Sequence, residues 1–341
     1  MNVLGIETSC DETSVAVISN NELKANLISS QDFHSKYGGV VPELSSRAHL
    51  QIIIPLLRDA LEKANLELKE IDIICATAGP GLIGALLVGL TFAKGLAYSN
   101  NKPFIPVNHI EGHIFSGFLM KDKPEFPYLA LVVSGGHTLL LLVKNFSEII
   151  QLGTTVDDAA GEAFDKVAKM LGMVYPGGPK IQKTALSGNG NKIDFPVAEL
   201  SHKYNFSFSG LKTAVLRYIQ KNYGENRTVP EKDLPDIAAS FQNAVIRALL
   251  KSTEKALNQF EVKSISLVGG VAANEELRKR IAVLADKYQK KIIIPGMEYC
   301  GDNAAMIAFR GLKVYESGGK FDLSFSPFPG LNDEYFASVN L

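Results

Sequence analysis

Apolar residues recur along the chain in two registers, and the order of those registers repeats. Residues 3–7 (VLGIE) predict a strand, TSCDET a polar turn, and SVAVI a returning strand. Residues 129–133 (LALVV), SGGHT and LLLLV do the same. Both segments are hairpins of β-branched and leucine residues around a polar turn. Later in each half a strand, a glycine turn and a helix follow: IDIICATA, GPG, then Leu82 to about Tyr98, against SISLV, GGVAAN, then Glu275 to about Tyr288. A further strand and helix close each half, KPFIPVN into HIEGHIFSGFLM and KKIIIP into DNAAMIAFRGLKVY. The spacings agree, with 30 residues from Gly79 to His109 and 33 from Gly269 to Asp302. Self-similarity of this kind predicts a duplicated α/β architecture of two lobes facing each other across a cleft.

The halves differ by an insertion between about Thr155 and Gln259. It is mostly helical in pattern, with Ile237, Phe241, Val245 and Leu249 at helical spacing and turn-rich PGGPK and SGNGN between the helices. The expected organisation is lobe one over 1–110 and lobe two over 111–302, including the insertion at about 155–259. A C-terminal helix at about 303–325 packs back on lobe one, and a tail runs over 326–341.

Composition narrows the class. A chain of 341 residues is long enough for two cores, and 46% hydrophobic with 21% charged residues is ordinary for a globular protein. The net charge of −1 gives no overall field favouring nucleic acid or an anionic membrane, so a polyanionic partner would need a local patch or another subunit. The most apolar long stretch, Gly81 to Tyr98, is broken by Lys94 and falls short of the roughly 20 residues a bilayer needs. The amino terminus lacks the basic-then-apolar pattern of a secretory signal. Three widely spaced cysteines without a C-x-x-C pair fit a reducing cytosol, so a cytoplasmic protein with no membrane role is expected.

Candidate chemistry lies in the turns. Ser134, Gly135 and Gly136 offer successive backbone N–H groups that can cradle a phosphate, glycine admitting a ligand closely and tolerating positive φ. The matching turn of the first half carries Asp11 and Glu12, which would repel phosphate and so suit a metal-bound water or a proton. GPGLIG at 79–84 spells the dinucleotide fingerprint, yet the acid expected about 20 residues on is missing. His109 and His113 are one turn apart on a predicted helix and suit a transition metal. Surface or capping histidines would show the same spacing. Asp302 opens the equivalent helix of the other half, where it could face the same cleft; other ligand sets stay open on spacing alone. HIEGH is no zinc-protease motif, because Glu111 lies roughly 200° around the helix from His109.

The repeated hairpins and strand–turn–helix units resemble the actin/sugar-kinase/heat-shock-ATPase superfamily. Within it, GIETSCDET, YGGVVPELSSR, TAGPGLIGALLVG, NHIEGH, LVVSGGHT, DDAAGEAFDK, YPGGP, SFSGLKTA, DIAASFQ, GGVAAN and CGDNAAMIA resemble the bacterial tRNA threonylcarbamoyladenosine transferase family, from Val3 to about Tyr315. The resemblance implies a duplicated actin-like ATPase (ribonuclease H-like) fold with two lobes around a central cleft. It implies transfer of threonylcarbamoyl from threonylcarbamoyl-AMP to the exocyclic amine of the adenosine next to the anticodon, in tRNAs reading codons that start with adenosine. It also implies metal ligation by His109, His113 and Asp302, with iron or zinc as the ion. The ligand-contacting turn falls on Val132, Val133, Ser134, Gly135 and Gly136, and further nucleotide contacts on Asp165, Gly178 and Asn274, with threonylcarbamoyl-AMP or ATP bound. Partners implied are tRNA, a catalytically silent lobed homologue and a small P-loop ATPase. Asn108 and Leu139 depart from residues frequent in the family. Asp11 and Glu12 are the candidates for taking the amine proton. A metal-dependent ATPase or kinase-like binding module of the same superfamily is the alternative. Clusters such as Arg278, Lys279, Arg280, Lys287, Lys290 and Lys291 are candidate RNA contacts, although solvated helix faces carry such charges more often.

Overall fold

A computed structural model of the chain describes residues 1–224, 228–319, 321–331 and 336–338. The first strand, β1 (Asn2–Glu7), is buried from Val3 onward because it lies between two neighbours in the sheet and between two layers of helix. That is why its sequence reads as a continuous apolar run and not as an alternation. It pairs antiparallel with β2 (Glu12–Ser19), which pairs with β3 (Glu22–Ser30). After α1 (Pro42–Ala64), β4 (Ile73–Gly79) lies parallel to β1; after α2 (Ile83–Ser99), β5 (Phe104–Asn108) lies parallel to β4 and runs straight into α3 (His109–Phe115). The sheet order is β3-β2-β1-β4-β5.

A second sheet is built the same way. β6 (Tyr128–Val133), β7 (Thr138–Val143) and β8 (Ile149–Thr154) form an antiparallel meander. The insertion follows as α4 (Ala160–Met170), α5 (Gly177–Ala185), α6 (Ser209–Tyr223) and α7 (Leu234–Gln259). β9 (Ser264–Val268) then returns parallel to β6, and after α8 (Glu275–Lys287) the short β10 (Lys291–Ile293) lies parallel to β9. The chain continues through α9 (Met297–Cys300) and α10 (Ala304–Glu316) and ends in a two-residue strand, β11 (Ala337–Ser338), beside β8. The order is β10-β9-β6-β7-β8-β11. None of the described helices is long and apolar enough to cross a membrane.

The chain divides into two units, Met1–Lys123 with Pro295–Tyr335, and Pro124–Ile294 with Phe336–Leu341. This differs from the expected breaks after 110 and 302. The first unit keeps α3 because that helix packs on α10, and α10 covers one face of the first sheet. Met306, Ile307, Ala308 and Leu312 bury against Val3, Ile18, Ile73, Ile105 and Val107. The opposite face carries α1 and α2 over Leu4, Ile6, Val15 and Val17. Asp302 therefore belongs to the same unit as both histidines. The expected helix at about 303–325 is α10, ending at Glu316. The expected 326–341 tail is shared, with Phe328 against the first core and Ala337–Ser338 on the second sheet.

Two glycines set close contacts. Gly5 faces α10, and a Cβ there would lie 2.4 Å from the Ala304 carbonyl oxygen. Gly89, in α2, lies so near β1's end that a Cβ would meet Thr8 Oγ1 at 2.2 Å. Within GPGLIG a Cβ on Gly79, Gly81 or Gly84 would fall 2.0 Å from the Phe328 carbonyl oxygen, 2.5 Å from the Ser9 carbonyl oxygen and 2.5 Å from Ser46 Oγ, so close packing accounts for these glycines without a dinucleotide.

Candidate functional site

The site in the first unit begins at Asn108. Its side-chain Oδ1 accepts hydrogen bonds from the Ile110 and Glu111 amides at 2.8 and 3.2 Å, capping α3. His109 and His113 follow on one face, one turn apart, with ring centroids 4.7 Å apart and planes at 89°. Asp302 lies just before Asn303, the N-cap of α10, and the start of that helix is fixed twice. Asn303 Oδ1 accepts from the Met306 amide at 3.1 Å, and the Ala304 amide donates to Ser14 Oγ at 2.9 Å. This puts Asp302 Oδ1 3.0 Å from His113 Nε2 and 3.4 Å from His109 Nε2.

Both imidazoles are buried, and Asp302 is mostly so. Burial opposes charge on His109, but the carboxylates of Asp302 and Glu7 hold its imidazole well above the usual histidine range. The same contacts keep Asp302 far below the usual carboxylate range against the opposing effect of burial, His109 before His113. Burial, then the charges of Asp302 and Asp11, push Glu12 up to about 9. Glu7, Asp11 and Asp302 thus crowd negative charge around Glu12 and the imidazoles, a surplus that a bound cation offsets.

The donor set fits a divalent transition metal. One ligand atom from each of His109, His113 and Asp302 lies within 4.8 Å of the others. Atoms bound to a single ion at about 2.0–2.1 Å sit about 3–3.5 Å apart, so only small adjustments are needed. Two imidazoles and one carboxylate suit iron or zinc and leave coordination positions open. Glu111 turns away from this group and pairs with Arg310 Nε at 2.5 Å, which removes it as a metalloprotease base.

Several residues around the centre were not singled out from the sequence. Glu7, fully buried at the end of β1, lies 3.0 Å from His109 Nδ1. Thr77 on the adjacent β4 and the Ser9 amide both donate to its carboxylate at 2.5 Å. The available signal was an acid closing an otherwise apolar strand. The turn bearing Asp11 and Glu12 is held from behind by His49. Its Nδ1 lies 2.7 Å from Thr13 Oγ1 and its Nε2 lies 3.0 Å from the Cys10 carbonyl, which Ser45 Oγ also contacts.

In the second unit Val132 and Val133 end β6, and Ser134, Gly135 and Gly136 form the turn to β7. The Ser134 amide donates to the His137 carbonyl at 2.8 Å, and the His137 amide donates to Ser134 Oγ at 3.1 Å. Gly135 and Gly136 are exposed, neither has positive φ, and a Cβ at either would touch nothing. Positive φ is therefore not what glycine provides here; open access to the backbone is. The start of α4 abuts the turn through the Gly161 amide on the Ser134 carbonyl at 3.2 Å. Asp165 on α4 accepts from the Gly177 amide at 2.7 Å, holding the first turn of α5 where Gly178 lies. Asn274 caps α8 through the Leu277 amide at 3.0 Å, and its Nδ2 donates to Gln242 at 2.8 Å. Among the basic residues, Arg278 bonds the Ala272 carbonyl, Arg280 bonds Asn243, and Lys287 and Lys291 pair with Glu254 and Glu125. They tie the second unit's own elements together.

The chain matches the family model described as tRNA N6-adenosine threonylcarbamoyltransferase (TsaD) over residues 22–309. A protein of that description from Thermosipho africanus is 53% identical over 333 residues, covering 97% of this chain and 99% of its own. Another, from Thermodesulfovibrio yellowstonii, is 50% identical over 325 residues, covering 95% and 97%. Among solved structures, HypF of T. kodakarensis superposes with a TM-score of 0.63 at 17% identity, over 95% of this chain and 49% of that one. The Acidaminococcus fermentans (R)-2-hydroxyglutaryl-CoA dehydratase component A superposes at 0.55 with 15% identity, over 94% and 100%. These structures share the actin-like ATPase fold.

Proposed function

Since this chain belongs to the tRNA N6-adenosine threonylcarbamoyltransferase family, a family of tRNA-modifying transferases, we propose that its donor is threonylcarbamoyl-AMP. The acceptor is the exocyclic amine of the adenosine next to the anticodon, in tRNAs reading codons that begin with adenosine, and the reaction depends on a metal. The observation that carries the metal dependence is the meeting of His109 Nε2, His113 Nε2 and Asp302 Oδ1 in one buried site. The near-full-length match favours the transferase over an ATPase or kinase-like module.

An adenosine exocyclic amine is a weak nucleophile, because its lone pair is delocalised into the ring. Positioning and charge stabilisation must therefore supply most of the rate. When bound at His109, His113 and Asp302, iron or zinc supplies a Lewis acid and template for donor oxygens. The backbone N–H groups of Gly135 and Gly136 hold the donor phosphate beside the Ser134 hydroxyl, because the Ser134 amide is already spent on the His137 carbonyl. Val132 and Val133 flank it, and Asp165 accepts from ribose hydroxyls, with Gly178 and Asn274 bounding the nucleotide. As the amine nitrogen bonds to the carbamoyl carbon, the carbon–oxygen bond to AMP breaks and AMP leaves with the electron pair. The amine proton passes to Asp11, or to Glu12 where a bound cation offsets the neighbouring charges that raise it. A catalytically silent lobed homologue and a small P-loop ATPase complete the system, and the compartment is the cytoplasm. ATP is the alternative bound nucleotide.

The test incubates purified protein with unmodified tRNA and threonylcarbamoyl-AMP, with and without the partner proteins, and measures the modified nucleoside by mass spectrometry. Product that requires this chain is expected. Its absence with every partner present would reject the proposal.

A further inference from the structure

His109 and His113 differ in how their second ring nitrogens are held. Glu7 Oε2 lies 3.0 Å from His109 Nδ1, and Ser9 Oγ lies 3.2 Å from the same atom. The carboxylate is itself fixed: its Oε1 accepts from the Ser9 amide and its Oε2 from the Thr77 hydroxyl, both at 2.5 Å. Two strands set that geometry, because β1 and β4 are parallel neighbours with Ile6 opposite Ala76, one residue short of Glu7 and Thr77. His113 Nδ1, by contrast, is buried and has no hydrogen-bond partner among the described residues.

A fully buried carboxylate costs several kcal/mol of desolvation unless partners satisfy it, so a structural sheet has no reason to place one at β1's end. The Ser9 amide and the Thr77 hydroxyl hold the carboxylate with Oε2 toward His109 Nδ1. A carboxylate only accepts, so Nδ1 donates to Glu7, and a metal that displaces the proton from Nε2, the nitrogen facing Asp302, finds its lone pair there. A carboxylate behind a ligating imidazole fixes its tautomer and ring plane and makes it a stronger ligand.

We propose that Glu7 is the positioning residue of the metal centre, locking His109 as an Nε2 ligand, while among the described residues no carboxylate stands behind His113 Nδ1. This rests on the reading of His109, His113 and Asp302 as metal ligands, and it adds a residue outside that set.

The full chain, labelled with ¹⁵N histidine and loaded with zinc, would be examined by NMR. His109 is expected to carry its proton on Nδ1 and the metal on Nε2; the reverse would overturn the proposal without any mutation. Zinc dissociation constants would then be measured by chelator competition for the parent and Glu7→Gln. The variant is expected to bind about 10–100-fold more weakly, with the His109 ¹⁵N signals showing mixed tautomers. A dissociation constant within about threefold of the parent, with the tautomer unchanged, would sink the positioning role and leave the metal centre standing. A parent that binds no zinc, cobalt or iron would overturn both, and that outcome is read before Glu7 is touched. Thr77→Val, which removes one hydroxyl from the carboxylate, is expected to weaken binding by a smaller factor in the same direction.

Discussion

His109 contributes to the fold through packing in the first unit and to the proposed chemistry through a single ring nitrogen, so truncation separates the two. His109→Ala is expected to abolish stoichiometric metal binding and transfer, measured by elemental analysis and nucleoside mass spectrometry. The far-ultraviolet circular dichroism should be kept. A variant that transfers normally would remove the metal from the mechanism. The acidic turn makes a different prediction, because Asp11 and Glu12 would act on the amine proton and not on the donor. Asp11→Ala is expected to leave threonylcarbamoyl-AMP affinity unchanged in titration calorimetry while slowing turnover about 10²–10⁴-fold. Weakened binding alone would contradict proton transfer. The spacing of the two histidines and the acids of the turn were legible in the sequence as separate features. Glu7 was not, because an acid closing a strand reads as the first polar residue of a turn until the fold buries it among Ser9, Thr77 and His109.

At the scale of elements, α10 carries Asp302 to its place, and β1 decides how closely α10 can come. A methyl group at Gly5 would fall 2.4 Å from the Ala304 carbonyl oxygen, which neither a sheet strand nor a helix start can easily accommodate. Gly5→Ala is expected to destabilise by about 1–3 kcal/mol in urea unfolding, the range seen for overpacked cores, and to weaken zinc binding by shifting Asp302. Unchanged metal affinity would mean that α10 adjusts without moving its first turn. In the second unit, Asp157 caps the start of α6 through the Phe208 amide at 2.8 Å, and Asp158 joins Lys166 of α4 to Lys212 of α6 at 2.8 and 2.7 Å. Burial works against the charge, but the two lysines hold the Asp158 carboxyl below its ordinary range. A carboxyl lowered on folding adds stability above the unfolded-state value, near 3.9, and loses it as pH falls through the lower folded value. Asp158→Asn should therefore be less stable than the parent at pH 7 by under about 1 kcal/mol, since the pairs are partly screened, and the difference should vanish once pH has fallen through the lowered folded value. Chemical denaturation across that range measures it; a difference that persists in acid would assign the loss to packing.

For the whole molecule, the division of the chain matters because all three metal ligands lie in the first unit and the turn expected to face the donor lies in the second. Metal at about a hundred times its dissociation constant should therefore add about 2.7 kcal/mol to the unfolding free energy of the unit holding His109, His113 and Asp302. Denaturation with zinc and with a chelator checks this, and coincident curves would argue against specific binding. The repeated hairpins and strand–turn–helix segments determined the duplicated α/β architecture from sequence alone, because strand and helix periods are local and survive translation along the chain. The helical insertion and the pairing of His109 with His113 were legible for the same reason, since four residues on a helix bring two side chains to one face. The tertiary structure alone decided that Asp302 joins the first unit and not the second. Residues 189 positions apart meet through α10 packing on β1, which no local period encodes. It alone also decided that Gly135 and Gly136 give open backbone without positive φ, and that a carboxylate stands behind one histidine and none behind the other. Those distinctions depend on which side chains are buried together, and burial is settled by long-range packing.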